Sequence, residues 1–337
     1  MSAYKTIVVT GGAGFIGANF IHSLFKKYGT SITIHTIDAL TYAGNLDNLS
    51  NLDPKYNHYF HHIDIRDKTT LTHFFDAHTI DAIVHFAAES HVDRSIEDSS
   101  SFITTNVIGT QQLLDIVNAF KIKKFVHVST DEVYGSLGDT GSFFEHTPIA
   151  PNSPYAASKA SSDLIVKAYY KTHQTPVCIT RCSNNYGPYQ FPEKLIPLMI
   201  SNALTNKPLP IYGNGKNVRD WIYVDDHCDG VNAVLQSGKL GEIYNLGGNA
   251  EKKNIDLVKQ ILGILGKDES LITYVTDRAG HDYRYAMNFS KATTELNWTP
   301  KYTFEDGLQK TIEWYLKNQE WLNRVLSGEY HKKGVIS

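Results

Sequence analysis

Eight residues near the amino terminus limit what this chain can fold into more than any other feature. Thr10-Gly11-Gly12-Ala13-Gly14-Phe15-Ile16-Gly17 lies between a β-branched run, Thr6-Ile7-Val8-Val9, and an amphipathic stretch over 15–27. The glycines fit G-x-G-x-x-G through Gly12, Gly14 and Gly17, and equally G-x-x-G-x-x-G through Gly11, Gly14 and Gly17. Such a turn lets the backbone approach a pyrophosphate, and free N–H groups at the start of the next helix meet its charge. Glycine patterns also occur in incidental loops. The strand before this one and the helix after it give it weight.

The alternation continues along the chain. Residues 32–37, 58–63, 82–86 and 125–129 read as strands, with helical segments around 68–77 and 99–120 between them. A helix over about 153–173 and a strand over 177–180 extend the pattern. Strands separated by helix-length segments make right-handed βαβ crossovers and a buried parallel sheet. The expected class is therefore α/β: a Rossmann-type doubly wound parallel sheet with a smaller C-terminal substrate-binding cap. After about residue 183 the texture changes, and Asn184-Asn185-Tyr186-Gly187-Pro188-Tyr189 is turn chemistry. Segments 224–235 and 242–246 look like a helix and a strand rejoining the first domain, and the rest reads as a helical cap. The expected domains are 1–183 with returning segments about 224–246, and 184–223 with 247–337.

Composition narrows the partners. A length of 337 residues allows one large or two modest domains. The chain has 32 Lys+Arg against 35 Asp+Glu, a net charge of −3, so a nucleic-acid partner is not expected. No apolar run reaches the roughly 18 residues of a membrane span. Met1-Ser2-Ala3-Tyr4-Lys5 leads directly into a strand, so no signal peptide is expected. Cys178, Cys182 and Cys228 form no C-x-x-C pair, which argues against a disulfide framework and for a reducing cytoplasm. His58, His61-His62 and His85/His91 lack zinc spacing, strand alternation accounts for them, and no metal is expected.

Asp38 ends the second strand about 20 residues past the glycine turn, where a carboxylate accepts from both ribose hydroxyls and repels a 2′-phosphate. NAD is favoured over NADP; a solvated strand-end Asp is the plainer alternative. Asp64 closes the third strand, within reach of an adenine edge, and Phe86-Ala87-Ala88-Glu89-Ser90 closes the fourth with small residues. Both also fit ordinary strand-end turns, although the carboxyl ends of parallel strands are where ligands bind.

Tyr155-Ala156-Ala157-Ser158-Lys159 places Tyr and Lys four apart, on one helix face. A phenol near pKa 10 is a poor base at neutral pH. A neighbouring ammonium favours the phenolate, each unit of depression being worth about 1.36 kcal/mol. Lys159 can also bond a nicotinamide ribose. Tyr212-Gly213-Asn214-Gly215-Lys216 has the same spacing, but its glycines mark a turn. Ser129-Thr130-Asp131-Glu132-Val133-Tyr134-Gly135 follows the fifth strand. Thr130 can bond a substrate hydroxyl. If Asp131 and Glu132 both face the pocket, repulsion and desolvation raise at least one pKa and give an acid beside a base. A solvated loop pair is the ordinary alternative for Asp-Glu.

These motifs resemble the extended short-chain dehydrogenase/reductase family. Within it, Ala87-Ala88-Glu89-Ser90-His91-Val92-Asp93-Arg94-Ser95, the 129–135 segment, Ser183-Asn184-Asn185-Tyr186-Gly187-Pro188-Tyr189, Pro192-Glu193-Lys194-Leu195-Ile196-Pro197 and Arg219-Asp220-Trp221 resemble the dTDP-glucose 4,6-dehydratases. The related 4-epimerases share the glycine turn and Tyr155/Lys159 but lack the Asp-Glu pair. The resemblance covers about 4–320. The stretch from about Leu322, including Tyr330-His331-Lys332-Lys333, lies outside it and is expected to be a tail.

The resemblance implies NAD bound by Gly11, Gly14, Phe15, Ile16, Gly17, Asp38, Leu40, Thr41, Asp64, Ile65, Phe86, Ala87, Ala88, Thr105, Tyr155, Lys159 and Asn185. It implies a nucleotide-sugar substrate, dTDP-glucose, bound by Ser90, Thr130, Asn184, Lys194, Leu195, Pro210, Tyr212, Arg219, Asn254, Asp277, Arg278 and His281. The implied catalytic set is Thr130, Asp131, Glu132, Tyr155 and Lys159. It would oxidise C4, eliminate water across C5–C6 and return the hydride to C6, giving a 4-keto-6-deoxy sugar for rhamnose-type deoxysugar biosynthesis. A homodimer built on the 99–120 and 153–173 helices is implied too, although packing on the sheet explains the same apolar faces. The competing readings are a UDP-glucose 4,6-dehydratase, a UDP-sugar 4-epimerase, or an NAD-binding regulator, which would not need Tyr155 and Lys159.

Overall fold

The computed structural model describes residues 2–334. The strands are β1 (Thr6–Thr10), β2 (Thr33–Asp38), β3 (Asn57–His62), β4 (Ala82–His85), β5 (Lys124–Thr130), β6 (Val177–Cys182), β7 (Asn184–Tyr186), β8 (Leu209–Tyr212), β9 (Val218–Tyr223), β10 (Ile243–Leu246), β11 (Glu251–Lys253) and β12 (Ile272–Val275). Seven form one parallel sheet in the order β10-β6-β5-β4-β1-β2-β3. Strand order reverses at β1, which lies between β2 and β4, the point at which doubly wound sheets open a crevice for ligands. The fold is the expected Rossmann type.

Alternation along the strands builds two cores, one on each face. Ile7 and Val9 pack with Phe20 and Ile21 of α1 (Phe15–Tyr28) and with Val231 and Val234 of the helix Val224–Ser237. Val8 and Ile83 face the other way, onto Leu71 of α2 (Lys68–Ala77) and Leu113 and Leu114 of the helix Thr110–Ala119. The inner strands of such a sheet are covered on both sides, so their residues are apolar in near-continuous runs, whereas the edge strand β3 is polar and partly exposed. The helix Val224–Ser237 and β10 return to this sheet after the chain has left it.

Three differences from the sequence reading have local causes. The segment around 99–120 is not one α-helix. It widens to a π-helix over Ile103–Gly109, where Asn106 accepts from Glu89 N (2.9 Å) and donates to Glu89 O (3.0 Å) and Ser158 Oγ (2.9 Å). A π-turn of this kind re-aims side chains, here clamping the loop after β4. The cap is not purely helical. It carries a three-stranded sheet, β11-β9-β7, and a two-stranded sheet, β12-β8, in strands of three to six residues, too short for periodicity to reveal. Its own core joins Ile196 and Met199 to Leu257, Ile261, Leu308 and Ile312.

The stretch from Leu322 is not a tail as far as it is described. Leu322 and Val325, on the helix Gln319–Leu326, are buried, and Arg324 pairs with Asp47 at 3.0 Å. Tyr330 is buried against Phe191 and donates to the carbonyl of Tyr42. Among the described residues no helix is long and apolar enough to cross a membrane.

Candidate active site

The carboxyl ends of β1, β2, β4, β5 and β6 open into one cavity of about 310 Å³. Gly11, just past β1, has φ +69°, and a Cβ there would stand 2.6 Å from the Ala87 nitrogen. At Gly17 a Cβ would fall 2.2 Å from the Gly11 carbonyl. Gly12 packs instead against Thr36 and Ile21, and it does not line the cavity. Of the two glycine patterns, Gly11-x-x-Gly14-x-x-Gly17 faces the cavity. Gly14 is the N-cap of α1 and offers no side-chain cap, which leaves first-turn N–H groups for an anion.

Asp38 is buried at the end of β2, where Oδ1 accepts from Leu40 N (2.8 Å) and Oδ2 from Ala13 N (2.9 Å). Two backbone bonds fix the carboxylate and leave lone pairs on each oxygen for ribose hydroxyls. A glycine cradle that side chains would fill, an uncapped helix start and a fixed carboxylate fit a dinucleotide such as NAD. Phe15, Ile16, Thr41, Ile65, Phe86, Ala87, Ala88, Thr105 and Asn185 line the same cavity. Asp64 lines it just beyond β3 rather than within it, and Arg66 holds its carboxylate at 2.6–3.0 Å. Leu40 does not line it. At φ 50° it turns into a neighbouring depression with Leu46, His62 and Tyr330.

Tyr155 and Lys159 are positioned by a well-started helix, Pro154–His173. Ser153 caps it by accepting from Ala156 N (3.1 Å), and Pro154 occupies the first turn. Both side chains are buried and line the cavity. The electrostatics depart from the sequence expectation. Burial, then the charges of Glu132, Cys182 and Asp131, holds the Tyr155 phenol well above its ordinary value. Burial lowers Lys159 to about 8, with Asp163 one turn away pulling upward, and its Nζ donates to Val128 O at 2.8 Å. An ammonium at this distance from full solvation does not by itself make the phenolate.

Thr130 ends β5 and caps the 3-10 turn Asp131–Tyr134, accepting from Glu132 N at 3.2 Å. Asp131 is 1% exposed; its Oδ1 accepts from Thr130 Oγ1 at 3.2 Å and its Oδ2 is buried without a partner. Burial, with Glu132 and Asp220, raises it well above the carboxylate range. Burial raises Glu132 too, but Lys194, Arg219 and Arg278 pull it back. Burial thus pushes both adjacent carboxyls upward, while Lys194, Arg219 and Arg278 favour the ionised form of Glu132.

The remaining residues divide. Ser90, Asn184 and Lys194 line the cavity; Lys194 Nζ donates to Ser90 O at 2.8 Å, and Asn184 Oδ1 is buried without a partner. Leu195, Pro210, Tyr212, Arg219, Asn254, Asp277, Arg278 and His281 do not line it. Several of these form a second group. Arg278 grips Asp93 with two bonds (2.6 and 2.9 Å) and lies over the Tyr212 ring, while His281 pairs with Asp277 at 2.7 Å. Arg219 is buried, stacks 4.5 Å over Tyr285 and donates to the carbonyls of Val218 and Asp282. Asn254 Oδ1 is buried and unpartnered, whereas Leu195 packs into the cap core.

Sequence reasoning passed over Tyr42 and Gln190, which line the cavity, and gave no role to Glu193. Arg94 lies 3.9 Å over the Tyr42 ring and 3.3 Å from Glu193, so three distant segments meet at the rim. Glu193 adjoins Lys194 in a motif that signalled it. Tyr42 carries no spacing signal.

Residues 8–311 match the family described as GDP-mannose 4,6 dehydratase. The dTDP-glucose 4,6-dehydratase of Xanthomonas campestris pv. campestris (strain B100) is 52% identical, with 98% of each chain covered. The chain belongs to the dTDP-glucose 4,6-dehydratase family. The enzyme of that name from Salmonella typhimurium is 49% identical over 96% of each chain. The crystal structure of the Bacillus anthracis enzyme in complex with NAD is 54% identical, with a TM-score of 0.89 over 95% of this chain and 99% of that one. The UDP-glucose 4-epimerase of Thermotoga maritima has a similar fold, TM-score 0.86, at 28% identity with 93% and 99% covered. The family shares its architecture with the epimerases, and the higher identities lie on the dehydratase side.

Proposed function

We propose that this protein is a dTDP-glucose 4,6-dehydratase, a lyase with resident NAD, converting dTDP-glucose to the 4-keto-6-deoxy sugar nucleotide. The carrying observation is the Asp131–Glu132 pair beside Thr130, with Asp131 buried and Glu132 half-buried, in one cavity with Tyr155 and Lys159. Simple 4-epimerisation needs a base at the 4-hydroxyl only, whereas elimination across C5–C6 needs an additional acid and base.

NAD, held by the Gly11–Gly17 turn and Asp38, supplies a reversible hydride store, so the cycle consumes no external oxidant. Thr130 orients the glucose 4-hydroxyl and Tyr155 takes its proton. The phenol's high affinity for a proton makes it a capable base once ionised, and Lys159, which lines the same cavity, supplies an opposing positive charge. The C4 ketone acidifies C5–H, and Glu132 removes that proton. Asp131, protonated by burial, gives its proton to the C6 hydroxyl, which leaves as water. Glu132 then returns its proton to C5 as the hydride removed from C4 is delivered to C6, and the proton held by Tyr155 replaces the one that Asp131 gave up.

Lys194, Arg219 and Arg278 are the cations for the substrate diphosphate, which makes Arg278 exchange Asp93 for phosphate. The roles of the other predicted contacts follow the same division, with Ser90 and Asn184 toward the sugar and Pro210, Tyr212, Asn254, Asp277 and His281 toward the nucleotide. A homodimer is supported by exposed Ile96, Ile103, Ile108 and Leu164 on the 92–109 and 154–173 segments. A cytoplasmic location is supported by three buried cysteines, none in a disulfide.

Incubation with dTDP-glucose in deuterated water tests the reading. Dehydration places deuterium at C5 and removes the 6-hydroxyl, whereas a hexose product that keeps it contradicts the assignment. Competing dTDP-glucose against UDP-glucose in one assay decides the base.

A further inference from the structure

We infer that His35, His61 and His78 form a three-imidazole site for a divalent transition-metal ion of the zinc–nickel–copper group. One ring nitrogen from each lies within 4.8 Å of the other two. The residues come from three elements. His35 is on β2 and His61 on the edge strand β3, where the register pairs Ile37 with His61 and His35 with Tyr59, so the two histidines are diagonal neighbours on one sheet face. His78 is the C-terminal cap of α2, which covers that face.

The separations suit an ion. Metal–nitrogen bonds of about 2.0–2.1 Å put tetrahedral ligands about 3.4 Å apart. His35 Nδ1 and His61 Nε2 are 2.9 Å apart, and the third nitrogen, within 4.8 Å, needs an approach of up to about 1.4 Å, within reach of rotation of a side chain at a helix end. The 2.9 Å contact means that the two rings share one proton. On metal binding a tautomer shift carries that proton to the other nitrogen of its ring, so neither ring has to lose charge.

His78 has the outer bond that ligating histidines use. Its Nδ1 donates to Phe74 O at 2.8 Å, which fixes the tautomer with a lone pair on Nε2. Phe74 also backs the cluster, stacking on His78 at 4.5 Å and meeting His61 edge-on at 4.6 Å. Among the described residues none of the three rings pairs with a carboxylate, so nothing anionic accounts for their assembly. Imidazole sets of this kind select zinc, nickel and copper over magnesium or calcium. His61 and His78 are partly exposed, leaving a position for water as fourth ligand. The ion would tie the edge strand and α2 to β2.

The test uses untagged, full-length protein stripped with a chelator. Calorimetric titration with zinc chloride is expected to give saturable binding of one ion and a higher Tm. His78→Ala and His61→Gln should each weaken it by about tenfold or more, while His173→Ala, an exposed histidine elsewhere, leaves it unchanged. Copper(II) loaded at one equivalent should show nitrogen hyperfine structure from three imidazoles by electron paramagnetic resonance. Absence of stoichiometric zinc binding, affinity unchanged in both variants, or fewer than three coupled nitrogens each overturns the site.

Discussion

The hydroxyl of Thr130 donates to Asp131 Oδ1 at 3.2 Å, while the other oxygen of that carboxyl is buried without a partner. One residue at the end of β5 thus anchors the acid and, by accepting from Glu132 N, sets the start of the turn that carries the base. A protonated Asp131 has a hydrogen to give through its unpartnered oxygen, which is the requirement for expelling a hydroxyl.

Separation of the redox step from elimination is the first prediction. Glu132→Gln removes the base for C5 while leaving Tyr155 in place. Mixing with dTDP-glucose should still reduce the bound cofactor, seen by absorbance, while 6-deoxy product forms about 10²–10⁴-fold more slowly. Full turnover by this variant rules out the base assignment. Asp131→Asn should give the same pattern.

Tyr155→Phe acts earlier. It removes the acceptor of the 4-hydroxyl proton, so no transient cofactor reduction should appear and kcat should fall at least about 100-fold. Reduction at the wild-type rate would place the first proton on another group.

A pH dependence follows from Lys159. Burial lowers its ammonium to about 8, and Asp163 partly opposes that. The ammonium is charged below that value and lost above it, so kcat/KM should fall on an alkaline limb near pH 8. Against the upward pull of burial, Arg181 and His127 hold Asp163 at about 2, so it is anionic throughout. Asp163→Asn removes this charge, and the limb should move to lower pH. A limb that stays fixed excludes Lys159 as the titrating group.

Glycine positions give a steric prediction. A Cβ at Gly11 meets Ala87 backbone at 2.6 Å and needs φ +69°, whereas at Gly14 the nearest atom is 3.3 Å away. Gly11→Ala should lower Tm and leave the purified protein without NAD. Gly14→Ala should keep a near-normal Tm while holding NAD less tightly, as read by cofactor content after gel filtration.

The C-terminal segment supports the cavity rim from outside. Tyr330 is buried on Phe191 and bonded to Tyr42, and both partners line the cavity. Tyr330→Ala should cost about 3 kcal/mol of stability and speed NAD loss, with kcat on saturated enzyme little changed. NAD retention equal to wild type would sever the segment from the site.

The sequence by itself determined the parallel sheet, the glycine turn and the string that carries Thr130, Asp131 and Glu132. These rest on local order: a strand run, a turn and a helix run are legible because their residues are neighbours in the chain. Tertiary structure decided what depends on distant groups meeting. It chose Gly11 over Gly12 as the cavity glycine, because Thr36 and Ile21 fill the space beside Gly12. It engaged Arg278 with Asp93, made the stretch after Leu322 part of the rim, and assembled His35, His61 and His78 from two strands and a helix end. It also reversed the expected pull on Tyr155. Spacing places an ammonium on the phenol's helix face, but desolvation depends on everything packed around the group, and that quantity exists only once the chain has folded.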